Sequence, residues 1–488
     1  MHSRILILLW FTSIRQPVDR WDCATNRPRS SQRCRFGCGY DRAMNLGLRF
    51  IAALFAFMGA VALAEPAAPL PIATGETRTI LCGRLFSSDT GSVQNGATVR
   101  IVDGRVVAIE QTQVDYAPLP GDLDLRSYTC LPGLIDLHVH LTERPEDTAD
   151  LKVMFRRTRT EQRALSATHA SATLLAGFTS VRNVGAYIRG VDLDLRDAIN
   201  RREILGPRMQ VSGFYLTIPG GGGDLLVPGV PAMATPNFVR GGIAQGAAQF
   251  TRKAEQAMAD GVDVLKVIAS GAVLAYGGVP GSPEMNREEI AAVMLAAHAR
   301  GRRVAAHAHG AESVRDAILA GVDTVEHASL IDAEGIRLAR DRHAVLVMDV
   351  YNGDYIDTEG RAQQWPAEFL RKNLETTEAQ RQGFTAAHRA GVSLAYGTDA
   401  GVYPHGLNAR QLRIMVERGM TPVEALQSAT SIAARAMGWE AQVGSLEPGH
   451  FADLIAVRGD PLQDIRLLET VAVVVQGGRV VKPPPVAN

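Results

Sequence analysis

Residues 134–140 read LIDLHVH, and this stretch gives the clearest indication of the fold. Its apolar residues are typical of a buried β-strand. His138 and His140 lie two residues apart at its carboxyl end, so their side chains point to the same face of the strand. Two neighbouring imidazoles suit zinc or another transition metal. The stretch therefore predicts a strand that ends in part of a metal site.

Strand-like and helix-like segments alternate on either side of this stretch, across residues 131–439. Eight apolar segments that predict strands begin near Leu134, Thr179, Met209, Val264, Val304, Thr324, Val345 and Leu394. The helices between them have recognisable starts, such as Thr421, Pro422 and Glu424, which combine a cap, a first-turn proline and a capping-box glutamate. Eight β/α alternations favour an α/β protein with a (β/α)₈ TIM barrel over an open doubly wound sheet. Active sites of such barrels lie at the carboxyl ends of the strands.

Two separate segments, residues 77–130 and residues 440–485, carry the signals of a small β-domain. Asp103-Gly104 lies between two apolar runs, which is a strong signal for a two-residue hairpin. Gly477-Gly478 lies in the same way between valine-rich strands. We expect these distant segments to pair in one small β-sandwich domain, formed from both ends of the chain.

The first 64 residues differ in composition from the rest of the chain. We interpret residues 1–43, with many arginines and three cysteines but no periodicity, as a non-native or disordered extension; a metal-binding leader is the alternative. Residues 44–64 predict a signal peptide, because Arg49 precedes an apolar core at 50–61 and Ala62-Leu63-Ala64 fits a cleavage site. The core is shorter than the ~20 residues that a membrane span needs. We therefore expect a secreted or periplasmic protein with no stable membrane span after signal removal, and a retained anchor is the alternative.

The charge balance argues against one class of binding partner, and the cysteine content bears on a possible disulfide. The chain contains 51 lysines and arginines and 51 aspartates and glutamates, so its formal net charge is zero. We therefore expect no binding to nucleic acid, which would favour a positively charged surface. Removal of the signal peptide leaves Cys82 and Cys130 of the five cysteines. Export permits a disulfide between them, and two buried free thiols are the alternative.

Further side chains that bind metals lie at the ends of later predicted strands. His307 and His309 end the stretch RVAAHAH, His327 ends TVEH, and Asp399 follows LAYGT. Of the first two we expect His307 to be the ligand, because it lies deeper in its strand. Ionisable side chains at the ends of several strands are hard to explain as core residues. They extend the metal site predicted from the first strand.

A lysine in an apolar strand is the last candidate ligand. Lys266 lies within DVLKVI, at residues 263–268. Burial disfavours an ammonium group, so we expect the pKa of this amine to fall. A neutral amine can react with CO₂ to form a carbamate, an anionic group able to bridge two metals. The alternative is an ordinary lysine that pairs with a carboxylate.

Taken in order, these motifs resemble those of the amidohydrolase superfamily. The set comprises PGLIDLHVH, the lysine of the fourth strand, HAHG, VEHAS, GTDAG and GSLEPGHFADLIAV, and it spans roughly residues 77–485. Within the superfamily the chain is most similar to the imidazolonepropionase-related branch, which includes Xaa-Pro-type dipeptidases and ochratoxin-degrading amidases. The fragments GPRMQVSG, GSPEMNREEI, HAHGAESVRDAI and GTDAGVYPHG carry this closer similarity.

The resemblance implies a binuclear centre that hydrolyses an amide or peptide bond with a metal-activated hydroxide. Two divalent ions, with zinc expected, are the implied cofactor, and Asp399 is the implied catalytic base. The implied substrate is a small carboxylate-bearing amide, either a dipeptide or an N-acyl amino acid, including ochratoxin-like amides. We also expect a homo-oligomer. The resemblance assigns one metal to His138, His140 and Asp399, the other to His307 and His327, and the bridge to carboxylated Lys266.

Two stretches depart from the pattern of that branch. Residues 182–185 read RNVG where the branch often has Arg-Asp-Val-Gly, and residues 220–224 read GGGGD in place of Gly-Gly-His-Gly-Asp. A histidine that could contact substrate is therefore missing at Gly222, and we expect the glycine run to form a mobile loop at the mouth of the pocket. The groups that could bind a substrate carboxylate are Arg182, His309, Tyr351 and His405.

Two other functions fit parts of the pattern. A one-metal deaminase or cyclic-amide hydrolase would share the histidines, but such enzymes generally lack a lysine at the position of Lys266. A non-catalytic binding protein could keep the same fold, but every proposed metal ligand is present in this chain. We therefore expect metal-dependent amide hydrolysis.

Overall fold

The alternation of strands and helices predicted for the middle of the chain is present in the computed structural model, which describes residues 77–485. Each of the eight predicted strands begins within one residue of its predicted start. The described strands are β1 (Thr77–Phe86), β2 (Val93–Val102), β3 (Arg105–Gln111), β4 (Leu123–Pro132), β5 (Leu134–Val139), β6 (Phe178–Asn183), β7 (Arg208–Val211), β8 (Val264–Ile268), β9 (Arg303–Ala308), β10 (Thr324–His327), β11 (Val345–Val347), β12 (Ser393–Ala395), β13 (Leu454–Val457), β14 (Val473–Gln476) and β15 (Arg479–Lys482). The described α-helices are α1 (Arg159–Leu175), α2 (Val191–Asn200), α3 (Ala247–Asp260), α4 (Arg287–His298), α5 (Ala311–Ala320), α6 (Ala333–Asp341), α7 (Asn352–Tyr355), α8 (Ala367–Arg389), α9 (Arg410–Glu417), α10 (Pro422–Ser428) and α11 (Ser431–Met437).

Strands β5 to β12 are parallel and form two sheets. The first sheet has the order β5-β6-β7, and the second has the order β12-β11-β10-β9-β8. Isolated parallel bridges connect the sheets at both edges: Leu216, beyond β7, pairs with Val267 of β8, and Ala400, beyond β12, pairs with Val139 of β5. The result is an α/β fold in which the carboxyl ends of these strands lie on the same side.

Local sequence signals determine where several helices begin and end. Asn286 and Glu289 form a capping box at the start of α4, in which each side chain accepts the backbone amide of the other residue. Thr421 and Glu424 do the same for α10, as the sequence predicts. Helix α11 ends at Gly438, whose φ of +73° is a left-handed conformation that glycine adopts without strain.

Strands from the two predicted β-domain segments meet in one mixed sheet. Its seven strands have the order β15-β14-β13-β4-β1-β2-β3. Strand β4 pairs antiparallel with β13, from Pro132 opposite Leu454 to Thr129 opposite Val457. The predicted pairing of the two segments is therefore present. The β4–β13 ladder joins both segments edge to edge in one hydrogen-bonded sheet, and the sandwich stays a prediction.

A disulfide lies inside this mixed sheet. Cys82 on β1 and Cys130 on β4 are fully buried and bonded to each other, with Cα atoms 5.9 Å apart. Of the two alternatives left open by the sequence, the structure therefore has the disulfide and not the pair of free thiols. Such a bond typically contributes about 2–4 kcal/mol to stability, mainly by restricting the unfolded chain.

Strand β4 leads directly into β5, which carries the first candidate metal ligands. Only Gly133 separates Pro132 from Leu134. A Cβ atom on Gly133 would lie 2.0 Å from Oγ1 of Thr179 on β6, so this close approach requires glycine. All the residues of β5 are buried. The mixed sheet and the tight glycine contact therefore fix the start of β5.

The extension predicted for residues 1–43 and the signal peptide predicted for residues 44–64 lie outside the described residues. Secretion or a periplasmic location, and the homo-oligomer, stay predictions. Within residues 77–485, no helix combines the length and apolar character that are needed to cross a membrane.

Candidate metal centre

Side chains from the carboxyl ends of β5 and β12 meet at one end of the parallel strands. His138 and His140 lie at the end of β5, and Asp399 follows β12. Oδ1 of Asp399 lies 3.4 Å from Nε2 of His138 and 3.2 Å from Nε2 of His140. Both imidazole nitrogens therefore lie beside one carboxylate oxygen, and donors of these two kinds suit a divalent metal.

A second group of imidazoles lies beside the first. His307 and His309 lie at the end of β9, and His327 ends β10. The ring centroids of neighbouring members are 4.5–4.6 Å apart, and one nitrogen of each lies within 4.8 Å of the others. A further set with the same spacing combines His327 with His138 and Asp399. His327 therefore belongs to both of these sets and connects the second group with His138 and Asp399 of the first.

Burial keeps four of these imidazoles in the form that binds metals. It holds the pKa values of His138, His307 and His309 well below the ordinary value for histidine. It also lowers the pKa of His327 to about 4. A histidine must be neutral to coordinate a metal ion. At neutral pH these side chains can therefore coordinate a metal without first losing a proton.

Lys266 on β8 lines the same cavity as the imidazoles. The residue is 2% exposed, and its Nζ has no hydrogen-bond partner among the described residues. Burial lowers the pKa of this amine to about 8. A buried polar atom without a partner is costly, which indicates that a group other than the protein chain completes the site. The donor set and this unpartnered amine together fit a metal centre.

Two candidate ligands have a backbone conformation that is unusual for residues with a side chain. The φ angle is +69° at His327 and +60° at Asp399. Such left-handed conformations cost about 1–3 kcal/mol each outside glycine, and they persist only where the surroundings hold them. The backbone amide of Asp399 donates to the carbonyl of His138 at 2.7 Å, which ties this segment to β5. The fold thus orients both side chains before any ligand binds.

Buried carboxylates orient two of the imidazoles. Nδ1 of His138 lies 2.8 Å from Glu326, and Nδ1 of His327 lies 2.9 Å from Asp349. Gln380 donates to Asp349 at 2.7 Å and fixes it in turn. A partner on one ring nitrogen sets the tautomer and leaves the other nitrogen for a metal. Sequence reasoning missed these partners, although Glu326 directly precedes a predicted ligand.

Arg182, which the sequence predicts to bind substrate, is not among the residues that line the cavity. Its side chain is fully buried, and it donates to Glu326 at 2.8 Å and to the carbonyl of Leu137 at 2.8 Å. The guanidinium neutralises the carboxylate that orients His138. Arg182 is therefore a positioning residue behind the candidate metal ligands.

We expect Arg182→Met to destabilise the protein by about 3–5 kcal/mol, because it leaves the charge of Glu326 buried and uncompensated. Arg337→Met is the control, since Arg337 pairs with Glu334 and Asp341 at the surface, where a pair contributes about 0–1 kcal/mol. Urea unfolding followed by circular dichroism gives the free energy of unfolding of each variant. Equally small losses in both would contradict the structural role of Arg182.

Two more predicted substrate contacts lie away from the cavity, and one lies inside it. Tyr351 is 7% exposed, and its hydroxyl accepts a hydrogen bond from Arg410 at 2.9 Å. Nε2 of His405 lies 3.1 Å from the carbonyl oxygen of Glu143. Neither Tyr351 nor His405 is among the residues that line the cavity, because each is buried against other parts of the fold. His309 lines the cavity as part of the second imidazole group.

The cavity also contains two charged residues that the sequence reasoning missed. Glu143 and Arg144 follow His140 within four residues, and both line the cavity. The hydroxyl of Tyr215 donates to Glu143 at 3.2 Å, and burial raises the pKa of Glu143 to about 7. Their position directly after the H-x-H motif was the signal that could have found them. Apolar residues complete the lining: Leu151, Met154, Ile268, Val273, Leu274 and Ile356.

The glycine run at residues 220–224 forms part of the cavity wall. Gly222 and Gly223 line the cavity, and the amide of Gly222 donates to Glu284 at 2.8 Å. A Cβ atom on Gly222 would lie 2.9 Å from Cβ of Ala272. The wall therefore leaves no room for the histidine expected from similar sequences unless Ala272 shifts. The mobility of this loop stays a prediction.

Parallel strands with clustered imidazoles, a carboxylate and a buried lysine at their carboxyl ends are the arrangement expected of a metal-dependent enzyme. The profile of the amidohydrolase family matches residues 129–481, and the chain belongs to this family. The predicted relationship to amidohydrolases is thus confirmed.

Several similar proteins are named for hydrolysis of amide or peptide bonds. The ochratoxinase of Aspergillus niger is 29% identical over 446 residues, which cover 85% of this chain and 89% of that protein. The structure also resembles the crystal structure of a Xaa-Pro dipeptidase with bound methionine, with a TM-score of 0.78 and 33% sequence identity. This match covers 83% of this chain and 100% of that chain. A prolidase complexed with N-methylphosphonate-L-proline is 28% identical with a TM-score of 0.75, over 84% of this chain and 100% of that chain. Family and relatives support hydrolysis of amide or peptide bonds.

Proposed function

We propose that this protein is a binuclear metal-dependent amidohydrolase that acts on small carboxylate-bearing amides. The proposal depends on one observation: two groups of ligand atoms share His327 in the cavity that also holds the unpartnered amine of Lys266. If these residues had a purely structural role, the buried amine of Lys266 would be expected to have a hydrogen-bond partner within the protein. We further propose that β5–β12 close into a (β/α)₈ barrel, which the bridges between the two sheets support.

The proposed centre holds two divalent ions, with zinc as the expected ion. When bound, the ions would activate a water molecule and polarise the scissile carbonyl. His309 bonds Ser329 through Nδ1 at 2.8 Å, which leaves its Nε2 for the second ion or for substrate. The residues that would hold the ions are His138, His140 and Asp399 for one, His307 and His327 for the other, and Lys266, as a carbamate, for the bridge.

Asp399 moves the proton in the proposed reaction. Its Oδ1 lies beside two imidazoles, and Asn352 donates to its Oδ2 at 3.3 Å, so both oxygens are held in place. The oxygen of water bonds to the carbonyl carbon while Asp399 accepts one proton from that water. The proton then passes to the amide nitrogen as the carbon–nitrogen bond breaks, which gives a carboxylic acid and an amine.

The proposed substrate is an amide whose amine part bears a carboxylate. The names of the relatives, a Xaa-Pro dipeptidase, a prolidase and an ochratoxinase, support this class. The apolar lining of the cavity, including Leu151, Met154 and Ile268, offers contacts for a hydrophobic part of the substrate. Dipeptides and N-acyl-phenylalanine compounds combine both features.

We expect the metal-loaded protein to hydrolyse such free acids with a kcat/KM about 10–100-fold above that of the matching methyl esters. Charge-assisted hydrogen bonds contribute about 1.5–3 kcal/mol, and each 1.4 kcal/mol is about tenfold in affinity. Chromatography of the released amine measures both substrates. Equal kcat/KM values would show that no carboxylate is recognised. Failure to cleave any dipeptide or N-acyl amino acid, with two metals bound per chain, would overturn the proposed function.

A further inference from the structure

A buried carboxylate near the cavity pairs with two arginines. Oδ2 of Asp147 accepts a hydrogen bond from Nη2 of Arg157 at 2.5 Å, and Oδ1 accepts one from Nε of Arg144 at 2.9 Å. The side chains of Asp147 and Arg157 are 2% and 9% exposed, whereas that of Arg144 is 40% exposed. Among these three side chains, one negative charge therefore faces two positive charges; Glu143, the carboxylate next to Arg144, accepts from Tyr215 instead. The excess positive charge lies on the more exposed partner, Arg144.

The bond to Asp147 also fixes the orientation of Arg144. A guanidinium is planar, so anchoring it through Nε restricts where its two terminal nitrogens can point. No described residue accepts a hydrogen bond from Nη1 or Nη2 of Arg144. The residue lines the cavity, four positions after the candidate ligand His140. Arg144 thus offers an ordered and unpaired pair of donors next to the candidate metal centre.

Other cations cannot supply this charge at the cavity wall. Among the described lining residues, Lys266 is the only other lysine or arginine, and its amine is buried with the candidate metal ligands. Arg182 lies behind the centre and is already paired with Glu326. Two parallel guanidinium donors match the two oxygens of a carboxylate, which is the geometry of bidentate recognition.

We propose that Arg144 binds the carboxylate of the substrate, and that Asp147 and Arg157 are positioning residues that hold it. The inference rests on the proposed function, because it places the carboxylate-bearing amine part of the amide on the Arg144 side of the cavity. The released amino acid keeps the same carboxylate. Arg144 therefore binds one product as well as the substrate.

The test compares Arg144→Met with the wild-type protein on an N-acyl-phenylalanine and on its methyl ester. We expect kcat/KM for the free acid to fall by about 10–100-fold, which corresponds to the loss of charge-assisted hydrogen bonds. The ester should be cleaved at an unchanged rate. Calorimetric titration with L-phenylalanine should show a similar loss of affinity in the variant, and this measurement requires no turnover. Arg144→Gln, which is polar but uncharged, repeats the test if Arg144→Met does not fold.

Arg156→Met is the matched control, because Arg156 is close in the chain but 70% exposed and does not line the cavity. It should leave both substrates and L-phenylalanine binding unchanged. Asp147→Asn should weaken binding of the acid, seen as a higher KM, with little change in kcat. Equal losses for acid and ester in Arg144→Met, with unchanged L-phenylalanine affinity, would overturn the inference. If the wild-type protein cleaves no amide, the proposed function fails, and the titration alone decides whether Arg144 binds carboxylates.

Discussion

The variant Asp399→Asn is expected to lose about 10²–10⁴-fold in kcat, which is the usual effect of removing a positioned acid–base group. Asparagine keeps the shape of the side chain, but it cannot accept the proton of the attacking water. The left-handed backbone at Asp399 favours the same placement of either side chain. Measurements of kcat at saturating substrate, with metal content determined on the same sample, test this expectation.

Asp316→Asn is the matched control for that variant. Asp316 pairs with Arg287 at 3.0 Å and does not line the cavity, so this change should leave kcat unaltered. Near-normal kcat in Asp399→Asn, with its full metal content, would show that the proposed proton transfer is wrong. A variant that instead loses metal and activity together would show that Asp399 acts mainly as a ligand.

Lys266→Ala is expected to lose most of its activity and to bind fewer than two metals per chain. Two cations held close together repel each other and need an anionic bridge, which neutral imidazoles cannot supply. Alanine removes the amine that would carry the carbamate. A short carboxylic acid such as formate should partly restore both properties by occupying the vacated space. Metal analysis and kcat, each measured with and without formate, test this directly.

Lys372→Ala is the matched control, because it shows how much activity and metal are lost when a buried lysine outside the candidate metal centre is removed. Lys372 is 1% exposed, but its Nζ donates to the carbonyl of Ala275 at 2.6 Å and pairs with Glu368 at 2.7 Å. We expect this variant to lose stability yet keep its metals, and formate should not change its activity. A metal-loaded crystal with an unmodified ammonium at Lys266, remote from any metal, would contradict the binuclear centre.

The parallel strands and the convergence of the candidate ligands could be predicted because their signals are local. A strand places residues two positions apart on one face, so the spacing of His138 and His140 was sufficient to bring their side chains together. Capping boxes such as Asn286 with Glu289 likewise depend on a few adjacent residues. Parallel strands then bring their carboxyl ends to the same side, which places Asp399 beside both histidines.

The surroundings of the residues predicted to contact substrate could not be predicted in the same way, because they depend on pairs distant in sequence. The role of Arg182 depends on Glu326 on another strand, and no local pattern identifies that partner. The side chain of Tyr351 is held by Arg410 from a later helix. The proposed role of Arg144 was not predicted, because it depends on Asp147 pairing with both Arg144 and Arg157, which only the three-dimensional structure shows.

The order of strands in the mixed sheet means that this sheet cannot be completed until the end of the chain has been synthesised. Strands β1 to β4 leave the ribosome long before β13 to β15, yet β4 pairs with β13. Until synthesis is almost finished, the nascent chain therefore has an unpaired edge at β4, of the kind that promotes aggregation. The disulfide joins Cys82 and Cys130, which both belong to the first half of the sheet, so in an oxidising environment it can form without β13 to β15. A chain released prematurely by the ribosome would keep this exposed edge, by which cellular quality control could distinguish it from the finished protein.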